Sequence, residues 1–324
     1  MKIDNIKEIV RNDLMQLNKF IKKNLYSNIN LIIIVCNYLI KNSGKKVRPL
    51  LLLLIIHAFG NKMNKKHLKL ACAIEYIHTA TLLHDDVVDK SIRRRGRITV
   101  NKKWNNKIAI LVGDFLYSRA FQLIAEIKNL NILNILTNTT NYIAEGEILQ
   151  LTLQKKVNVT EQEYFTIIQN KTAKLFEAIT IIGTIISHVN NKADIENIRK
   201  YGYHFGIAYQ LLNDIIDCYV PMKKNDKKYN DLQDGKLTLP FLHCLHVGTD
   251  TEKEYIKTRL GKKLTKMEQI IIHNILKKTN SFTYTEKLIK IQVSLALGTL
   301  QKIAIKNIYI HSLRSIVKNI LKIK

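Results

Sequence analysis

The chain has 324 residues and a formal net charge of +26, with four cysteines, three prolines and twelve glycines. The cysteines stand far apart with no Cys-x-x-Cys pair, which argues against a zinc knuckle or a disulfide scaffold and fits a reducing compartment. So few prolines and glycines favour long helices over short strands, and we find no linker or repeat. We therefore predict a single all-α domain over residues 1–324, with fraying expected in residues 1–15.

The excess of lysine suggests two binding functions that the rest of the sequence does not favour. Basic proteins often bind nucleic acid or lie on anionic lipid. Here the lysines are scattered from Lys2 to Lys324, and aromatic residues do not alternate with them as in a single-strand binder. We therefore expect no nucleic-acid binding and at most weak peripheral membrane association. The N-terminus has no apolar signal region, and the longest apolar stretches fall short of the roughly 20 residues of a membrane span, so we expect a cytoplasmic protein.

The first acidic cluster follows a helix predicted over residues 68–77. Apolar residues there repeat at i, i+3 and i+4, and the pattern runs into His84-Asp85-Asp86-Val87-Val88-Asp89. Asp85 and Asp89 share a helix face, with Cβ atoms roughly 5–6 Å apart. Two carboxylates so close repel each other unless a cation lies beside them. Mg²⁺ fits because it takes carboxylate oxygens and keeps positions open for substrate phosphate.

Three arginines follow this cluster within two helical turns: Arg93, Arg94 and Arg95. A guanidinium pairs well with phosphate oxygens that a metal leaves uncovered. The local sequence therefore indicates a Mg²⁺-diphosphate site built on a helix. The alternative is a solvated charged helix face, which is where most charge runs lie.

Most of the remaining chain also has helical periodicity. Thr160 and Glu163 form a capping box at the start of one helix. Phe115, Tyr117 and Phe121 are expected in the core, because the helix that carries them is too apolar for a surface element. Strand signals are absent. The predicted helices cover residues 108–127, 141–153, 160–187 and 195–220, and the predicted turns cover residues 41–46, 61–64, 93–101 and 222–235.

A second acidic cluster, Asn213-Asp214-Ile215-Ile216-Asp217, lies near the end of the last of these helices. Asp214 and Asp217 share a helix face, and a lysine-rich loop over residues 223–228 follows. Helix bundles build metal sites from carboxylates on facing helices. The two clusters therefore suggest a pocket in which metal ions hold one diphosphate.

These residues together resemble the trans-polyprenyl diphosphate synthase family, and in particular its bacterial octaprenyl-forming members. The resemblance runs over residues 15–247 and fades over residues 248–324, where only generic helices are expected. Its motifs are specific in their order and spacing. They occupy residues 44–49, 77–89, 111–115, 143–147, 171–178 and 235–240.

The resemblance implies a fold of the isoprenoid synthase type, a bundle of long helices around a central cavity, usually as a homodimer. It implies head-to-tail addition of isopentenyl diphosphate to an allylic diphosphate such as farnesyl diphosphate. Three Mg²⁺ ions would draw the diphosphate from the allylic substrate, which is electrostatic catalysis. The product would be a long all-trans polyprenyl diphosphate, octaprenyl by resemblance, for the side chain of a quinone.

Matched position by position, the resemblance also assigns roles to residues. The catalytic set is Asp85, Asp89, Lys171 and Asp214, of which the three aspartates would ligate metal, with Asp217 a weaker metal candidate. The isopentenyl diphosphate set is Lys45, Arg48, His78 and Arg95. The allylic diphosphate set is Arg94, Lys171, Thr172, Gln210 and Lys236. Asp86 is expected either to support the metal ligands from outside or to have a structural role, and Glu147 and Gln150 are expected to support the metal shell.

Some of these positions also have a simpler interpretation. Lys45 and Arg48 could be ordinary charges in a turn, although the glycine before and the proline after them favour a positioned loop. His78 lies on an apolar helix, where most histidines are buried and structural. Its place two turns before Asp85 favours a ligand role.

Two departures from the family pattern bear on activity. Asn213 stands where the family usually has aspartate, and it brings no negative charge to a metal. The Gly-Lys expected in the next loop is missing, so Lys224, Lys227 or Lys228 would have to serve. A drifting but active enzyme explains both changes, and so does an inactive or regulatory subunit of a heteromeric synthase. A class I terpene cyclase is a further alternative, opposed by the cations that would hold a second diphosphate.

Product length depends on the residues one turn before Asp85. Ala80 and Thr81 are small there, and a large aromatic side chain would close the pocket early. Tyr76, one turn further, is expected to narrow the tunnel without closing it. Because Ala80 leaves the tunnel open, we predict a product longer than three or four prenyl units.

Replacing Ala80 by phenylalanine tests this placement of the tunnel. The Ala80→Phe side chain should block elongation, so the products, dephosphorylated and sized by chromatography, should shift to shorter chains. An unchanged product length would refute the placement.

Overall fold

The structure, a computed structural model, describes residues 1–41, 44, 46–94, 96–218 and 229–321. This part of the chain is almost entirely helical, and the predicted all-α class is confirmed. The α-helices are α1 (Ile3–Ile9), α2 (Arg11–Asn24), α3 (Asn30–Lys41), α4 (Val47–Ala58), α5 (Lys65–Val88), α6 (Val100–Lys103), α7 (Asn106–Ala125), α8 (Leu130–Leu153), α9 (Glu161–Ile168), α10 (Lys174–Ile186), α11 (Lys192–Cys218), α12 (Asn230–Gln233), α13 (Leu239–Val247), α14 (Asp250–Lys257), α15 (Lys266–Lys278), α16 (Ser281–Lys302) and α17 (Ile308–Ile320).

A short antiparallel hairpin, β1 (Arg93–Arg94) and β2 (Arg97–Ile98), follows α5. The expectation of a plain turn over residues 93–101 without strands was therefore wrong. Two-residue strands are too short to produce an alternating pattern in the sequence. Gly96, with φ +76°, adopts the left-handed backbone that a tight reversal needs.

The described residues divide into two compact units. In the first unit, α4 is apolar on all sides, and every residue from Leu50 to Ile56 is fully buried. A helix without a polar face has to lie inside a core. Helix α5 packs against α2, α4 and α7 in the same unit. This unit comprises Met1–Thr137, Ile179–Ile195 and Ala304–Ile316.

The second unit has an aromatic core. The Phe176 ring meets the Phe205 ring edge-on, with centroids 5.0 Å apart, and lies 5.5 Å from Tyr209. Tyr201 stacks on Phe205. These rings hold α10 against α11, which carries the second acidic cluster. This unit comprises Asn138–Ala178, Glu196–Ile303 and Val317–Lys324, of which the structure describes all but residues 219–228 and 322–324.

The helix predicted over residues 160–187 is interrupted by a π-helical turn, Gln169–Ala173, between α9 and α10. The capping box of Thr160 and Glu163 is confirmed at the start of α9. A π-turn inserts an extra residue per turn and is frequent at functional sites. Its formation depends on tertiary packing, so the helical periodicity of the sequence did not reveal it.

Helix α7 differs from its prediction as a fully buried element. Phe115, Tyr117 and Phe121 are half-buried, so their assignment to the core was wrong. Ile110 and Leu111 are 42% and 66% exposed. The helix packs mainly on α5, with smaller contacts to α3 and α6, and Ile110 and Leu111 lie on its exposed side. By length and composition α7 is the one helix in the described residues that could cross a membrane, and 39% of its apolar window is buried in the protein.

Alanine substitutions at two glycines are expected to change the stability of the protein in opposite directions. A Cβ at Gly206 would lie 2.6 Å from the Ala173 Cα, whereas a Cβ at Gly298 would meet nothing within 4 Å. We expect Gly206→Ala to destabilise the protein by about 1–3 kcal/mol through overpacking. Gly298→Ala should stabilise it by about 0.5–1 kcal/mol, since alanine favours a helix. Urea unfolding of both variants checks this, and equal shifts would contradict the packing argument.

Candidate active site

The first carboxylate group lies in the last turn of α5, in the first unit. Asp85 and Asp89 are half-buried, and Asp89 forms the C-cap. The carbonyl end of a helix carries partial negative charge, so carboxylates there are disfavoured without a cation. The last turn of α5 contains no basic residue. Positive charge beside this turn, from an arginine or from a bound cation, would offset this unfavourable placement.

Asp86, between them, has a different environment. Its side chain is buried, and it accepts a hydrogen bond of 2.8 Å from Arg94 Nε. Burial raises the pKa of Asp86, while the Arg94 charge acts in the opposite direction. Asp86 thus ties the β1–β2 hairpin to α5, which agrees with the structural role expected for it. Arg94 is held beside the carboxylate cluster by the same bond.

The donor chemistry at this turn fits Mg²⁺. Within the described ranges, no three histidine, cysteine or acidic side chains come together as a metal cage. Mg²⁺ usually takes one or two carboxylates and completes its shell with water and substrate phosphate. Asp85 and Asp89 supply that number of carboxylates on one helix face.

Arg48 and His78, two members of the predicted isopentenyl diphosphate set, meet in the structure. Arg48 Nη1 lies 3.0 Å from His78 Nε2. A guanidinium only donates, so Nε2 accepts this hydrogen bond. His78 is half-buried and not the fully buried histidine of the alternative interpretation. The other two members, Lys45 and Arg95, lie outside the described residues.

The proposed tunnel residues also lie on α5. Tyr76 is buried, and its hydroxyl donates to the Ile21 carbonyl on α2 at 2.8 Å. Ala80, one turn later, is fully buried. The Thr81 hydroxyl bonds back to the His78 carbonyl of its own helix at 2.7 Å. The Tyr76 ring is therefore fixed in one direction by α2.

In the second unit, Lys171 lies in the π-helical turn and contacts α8. Its Nζ is 2.7 and 2.8 Å from the two carboxylate oxygens of Glu147 and 3.0 Å from Gln150 Oε1. Gly146 permits this approach, because a Cβ there would lie 2.9 Å from the Lys171 amide nitrogen. Glu147 and Gln150 thus bind a lysine side chain. The metal-shell role expected for them stays a prediction.

Asp214 is 2% exposed and accepts hydrogen bonds at both carboxylate oxygens. The hydroxyl of buried Tyr164 donates to Oδ2, and Gln210 Nε2 donates to Oδ1 at 2.7 Å. The Thr172 hydroxyl in turn donates to Gln210 Oε1 at 2.9 Å. Burial raises the pKa of Asp214, and the two hydrogen bonds oppose that rise. Each oxygen of the carboxylate keeps a second lone pair, which is the electron pair that a metal ion would take.

Asp217 holds the chain that returns after residue 228. Its carboxylate accepts from the backbone N–H groups of Asn230 and Asp231 at 3.2 and 3.1 Å, and from Asn230 Nδ2 at 3.0 Å. Asp231 is a third carboxylate near Asp214 and Asp217. Burial, followed by the charges of these two neighbours, raises the pKa of Asp231. The sequence analysis missed Asp231, which no fixed spacing links to the 213–217 cluster.

Asn213 and the lysine-rich loop are the two departures from the family pattern. Asn213 is exposed on α11, on a different side from buried Asp214. Lys224, Lys227 and Lys228 lie outside the described residues.

Lys236 is positioned by a turn that binds the end of α8. Its backbone N–H donates to the Asp231 carbonyl at 2.7 Å. Gly235 has φ +83° and accepts a 2.7 Å hydrogen bond from the Lys155 amide. A Cβ at Gly235 would lie 2.6 Å from Lys155 Cγ, so the turn requires glycine for its backbone angle and for space.

Comparison with known proteins identifies the family. The chain matches the polyprenyl synthetase family over residues 30–277. It is 38% identical to the octaprenyl diphosphate synthase of Escherichia coli K12 over 261 residues, which are 80% of each chain. A decaprenyl diphosphate synthase from Rhodobacter capsulatus has a similar structure, with a TM-score of 0.92 and 31% identity over 99% of this chain and 98% of that one.

A second solved structure is a polyprenyl synthase from Caulobacter crescentus CB15 complexed with calcium and isoprenyl diphosphate. It has a TM-score of 0.91 and 32% identity, over 99% of this chain and 97% of that one. This chain belongs to the polyprenyl synthetase family.

The contact between Lys171 and Glu147 predicts a coupled effect on stability. Both side chains are about three-quarters buried, so Glu147→Ala leaves a cation without its counter-ion. We expect a loss of about 1–2 kcal/mol in the free energy of unfolding. The double variant Glu147→Ala/Lys171→Met should recover most of it, because no unpaired charge remains. Urea unfolding of the single and double variants measures the coupling, and additive losses would contradict it.

Proposed function

We propose that this protein is a trans-polyprenyl diphosphate synthase that extends an allylic diphosphate, most simply farnesyl diphosphate, with isopentenyl diphosphate. The observation that carries the proposal is the combination, in one member of this family, of paired carboxylates on α5 with the cationic and hydrogen-bonding residues around Lys171. Diphosphate chemistry needs both, because charge develops on the leaving group as its bond to carbon breaks.

The reaction balances without any further reactant. The allylic C–O bond breaks and the diphosphate departs with the electron pair. The isopentenyl double bond then supplies two electrons to the allylic carbon, and transfer of one proton to the departed diphosphate restores a double bond. Bound Mg²⁺ would supply the positive charge that stabilises the departing diphosphate.

Residue roles follow from the chemistry of each group. Asp85 and Asp89 on α5, and Asp214 on α11, are proposed to hold Mg²⁺, three ions in all with substrate bound. Arg48 and His78, with Lys45 and Arg95, are proposed to bind isopentenyl diphosphate. The proposed allylic diphosphate contacts are Arg94, Lys171, Thr172, Gln210 and Lys236.

Product length and setting are part of the same proposal. The similarity to octaprenyl and decaprenyl synthases and the small side chain of buried Ala80 support a long product, octaprenyl in the first instance, for a quinone side chain. We propose a homodimer of single-domain chains. The exposed apolar residues Ile110 and Leu111 on α7, and Leu130 after it, support this, since apolar surface of this kind favours association. A cytoplasmic enzyme with weak peripheral membrane contact fits a water-insoluble product.

One observation favours a second candidate function, an inactive or regulatory subunit of a heteromeric synthase. Asn213 is exposed and uncharged at the start of the second cluster. An amide binds Mg²⁺ less well than a carboxylate does, so this chain would need a partner with an intact second cluster.

A product assay separates these functions. Purified protein is incubated with farnesyl diphosphate, labelled isopentenyl diphosphate and Mg²⁺, with EDTA in a parallel reaction. We expect a Mg²⁺-dependent ladder of products that ends near eight prenyl units. Asp89→Ala should lower incorporation about a thousandfold, because it removes one of two carboxylates for the metal.

The Asn213→Asp variant is the matched control. If the wild-type chain, shown to be folded, incorporates no label and Asn213→Asp does, the regulatory-subunit function is favoured. If neither incorporates label, the synthase proposal is wrong for this chain acting alone. Incorporation that EDTA leaves unchanged would contradict the role of the metal.

A further inference from the structure

The proposed function gives no role to Tyr164, a buried side chain that contacts one of the proposed metal ligands. Tyr164 on α9 is 3% exposed, and its hydroxyl donates to Asp214 Oδ2 in the interior of the second unit. A buried phenol and a buried carboxylate each need a partner, because an unpaired polar group in the interior is costly. If Tyr164 and Asp214 had no further hydrogen-bonded neighbours, the need to pair two buried polar groups would be enough to explain their contact.

The hydrogen bonds continue from Asp214 to residues proposed to bind substrate. Asp214 Oδ1 accepts from Gln210 Nε2, and Gln210 Oε1 accepts from the Thr172 hydroxyl. This series of hydrogen bonds thus runs from α9 through α11 to the π-helical turn. It connects Tyr164 to Thr172, eight residues further along the sequence, by a route through another helix.

This series of hydrogen bonds fixes the orientation of the Gln210 amide. The Gln210 nitrogen must face Asp214, because a carboxylate can only accept, and its oxygen must face Thr172. Reversing the amide would set its oxygen against a carboxylate oxygen and break the hydrogen bond to Asp214. The second N–H of the Gln210 nitrogen therefore has a defined direction, which a freely rotating amide would lack. Asp214 imposes this direction only while its own carboxylate is held.

We propose that Tyr164 is a positioning residue for the allylic diphosphate: its hydroxyl fixes Asp214, and through Asp214 it orients Gln210 and Thr172. The inference rests on the proposed function and adds to it a residue that does not touch substrate. Tyr164 should therefore affect binding of the allylic diphosphate and leave the isopentenyl diphosphate set, Arg48 and His78, unaffected.

Another tyrosine of the protein, in the same unit, serves as a matched control. Tyr229 is fully buried, and its hydroxyl has no hydrogen-bond partner among the residues that the structure describes. Tyr164→Phe and Tyr229→Phe each remove one buried hydroxyl from a ring that stays in place. Only the first removes a link in the chain to Gln210. Circular dichroism and thermal unfolding establish that both variants are folded.

Two measurements test the proposal on these variants. Steady-state kinetics give KM for farnesyl diphosphate and for isopentenyl diphosphate, with kcat. Calorimetry gives Kd for farnesyl thiodiphosphate, an allylic analogue that ionises slowly, in the presence of Mg²⁺. For Tyr164→Phe we expect about a three- to tenfold rise in the farnesyl diphosphate KM and in Kd, as for loss of one buried hydrogen bond. The isopentenyl diphosphate KM should change less than about twofold, as should all values for Tyr229→Phe.

The outcomes separate this inference from the proposed function. If the wild type makes product and Tyr164→Phe behaves as Tyr229→Phe does, or raises both KM values equally, the positioning role is wrong and the function stands. If the wild type makes no product, Kd for the analogue decides alone, and a wild type that does not bind it overturns both. Should Tyr164→Phe not fold, Gln210→Met breaks the same chain one link further, and an unchanged farnesyl diphosphate KM there overturns the inference.

Discussion

The constraint on which the rest depends is the crowding of carboxylates at the carbonyl end of α5. Asp85, Asp86 and Asp89 lie within about one turn, where the helix itself contributes negative charge. The protein neutralises one of the three with Arg94 on the following hairpin. Positive charge relieves this crowding, and a divalent cation would supply it as Arg94 does at Asp86.

The second unit also contains a group of carboxylates, and it stabilises them by a different means. Asp214 is buried and receives neutral donors from Tyr164 and Gln210, while Asp217 receives backbone N–H groups from the start of α12. Neutral donors hold a carboxylate in place without cancelling its charge, and they leave lone pairs for a metal. Lys171, the nearby cation, has its own carboxylate partner in Glu147. Diphosphate binding would therefore compete with contacts that already exist, and the geometry of these contacts sets how the groups are presented.

Features that depend on the sequence within one helix could be predicted. Features that depend on how two helices pack against each other could not. The periodicity near residues 108–127 predicts α7, and the pair Thr160 and Glu163 predicts where α9 begins, because both signals act within one helix. The π-turn at Lys171 requires α8 to approach at Gly146, which no single segment encodes. The sequence analysis did not single out Tyr164, because its partner lies 50 residues away. The half-buried rings on α7 were misplaced for a related reason: an apolar residue indicates that burial is favourable, but not which surface provides it.

Packing between helices would also determine product length under the proposed function. The Tyr76 ring could in principle swing into or out of a tunnel along α5, which would make length adjustable by side-chain rotation. Its hydroxyl is instead bound to the Ile21 carbonyl on α2, and rotation would leave two buried polar groups unpaired. Ala80 has no side-chain torsion that could move a heavy atom. Under the proposed function, the width of a tunnel at these two positions would therefore depend on how α2 and α5 pack, and a change of product length would need either a substitution on α5 or a displacement of α2.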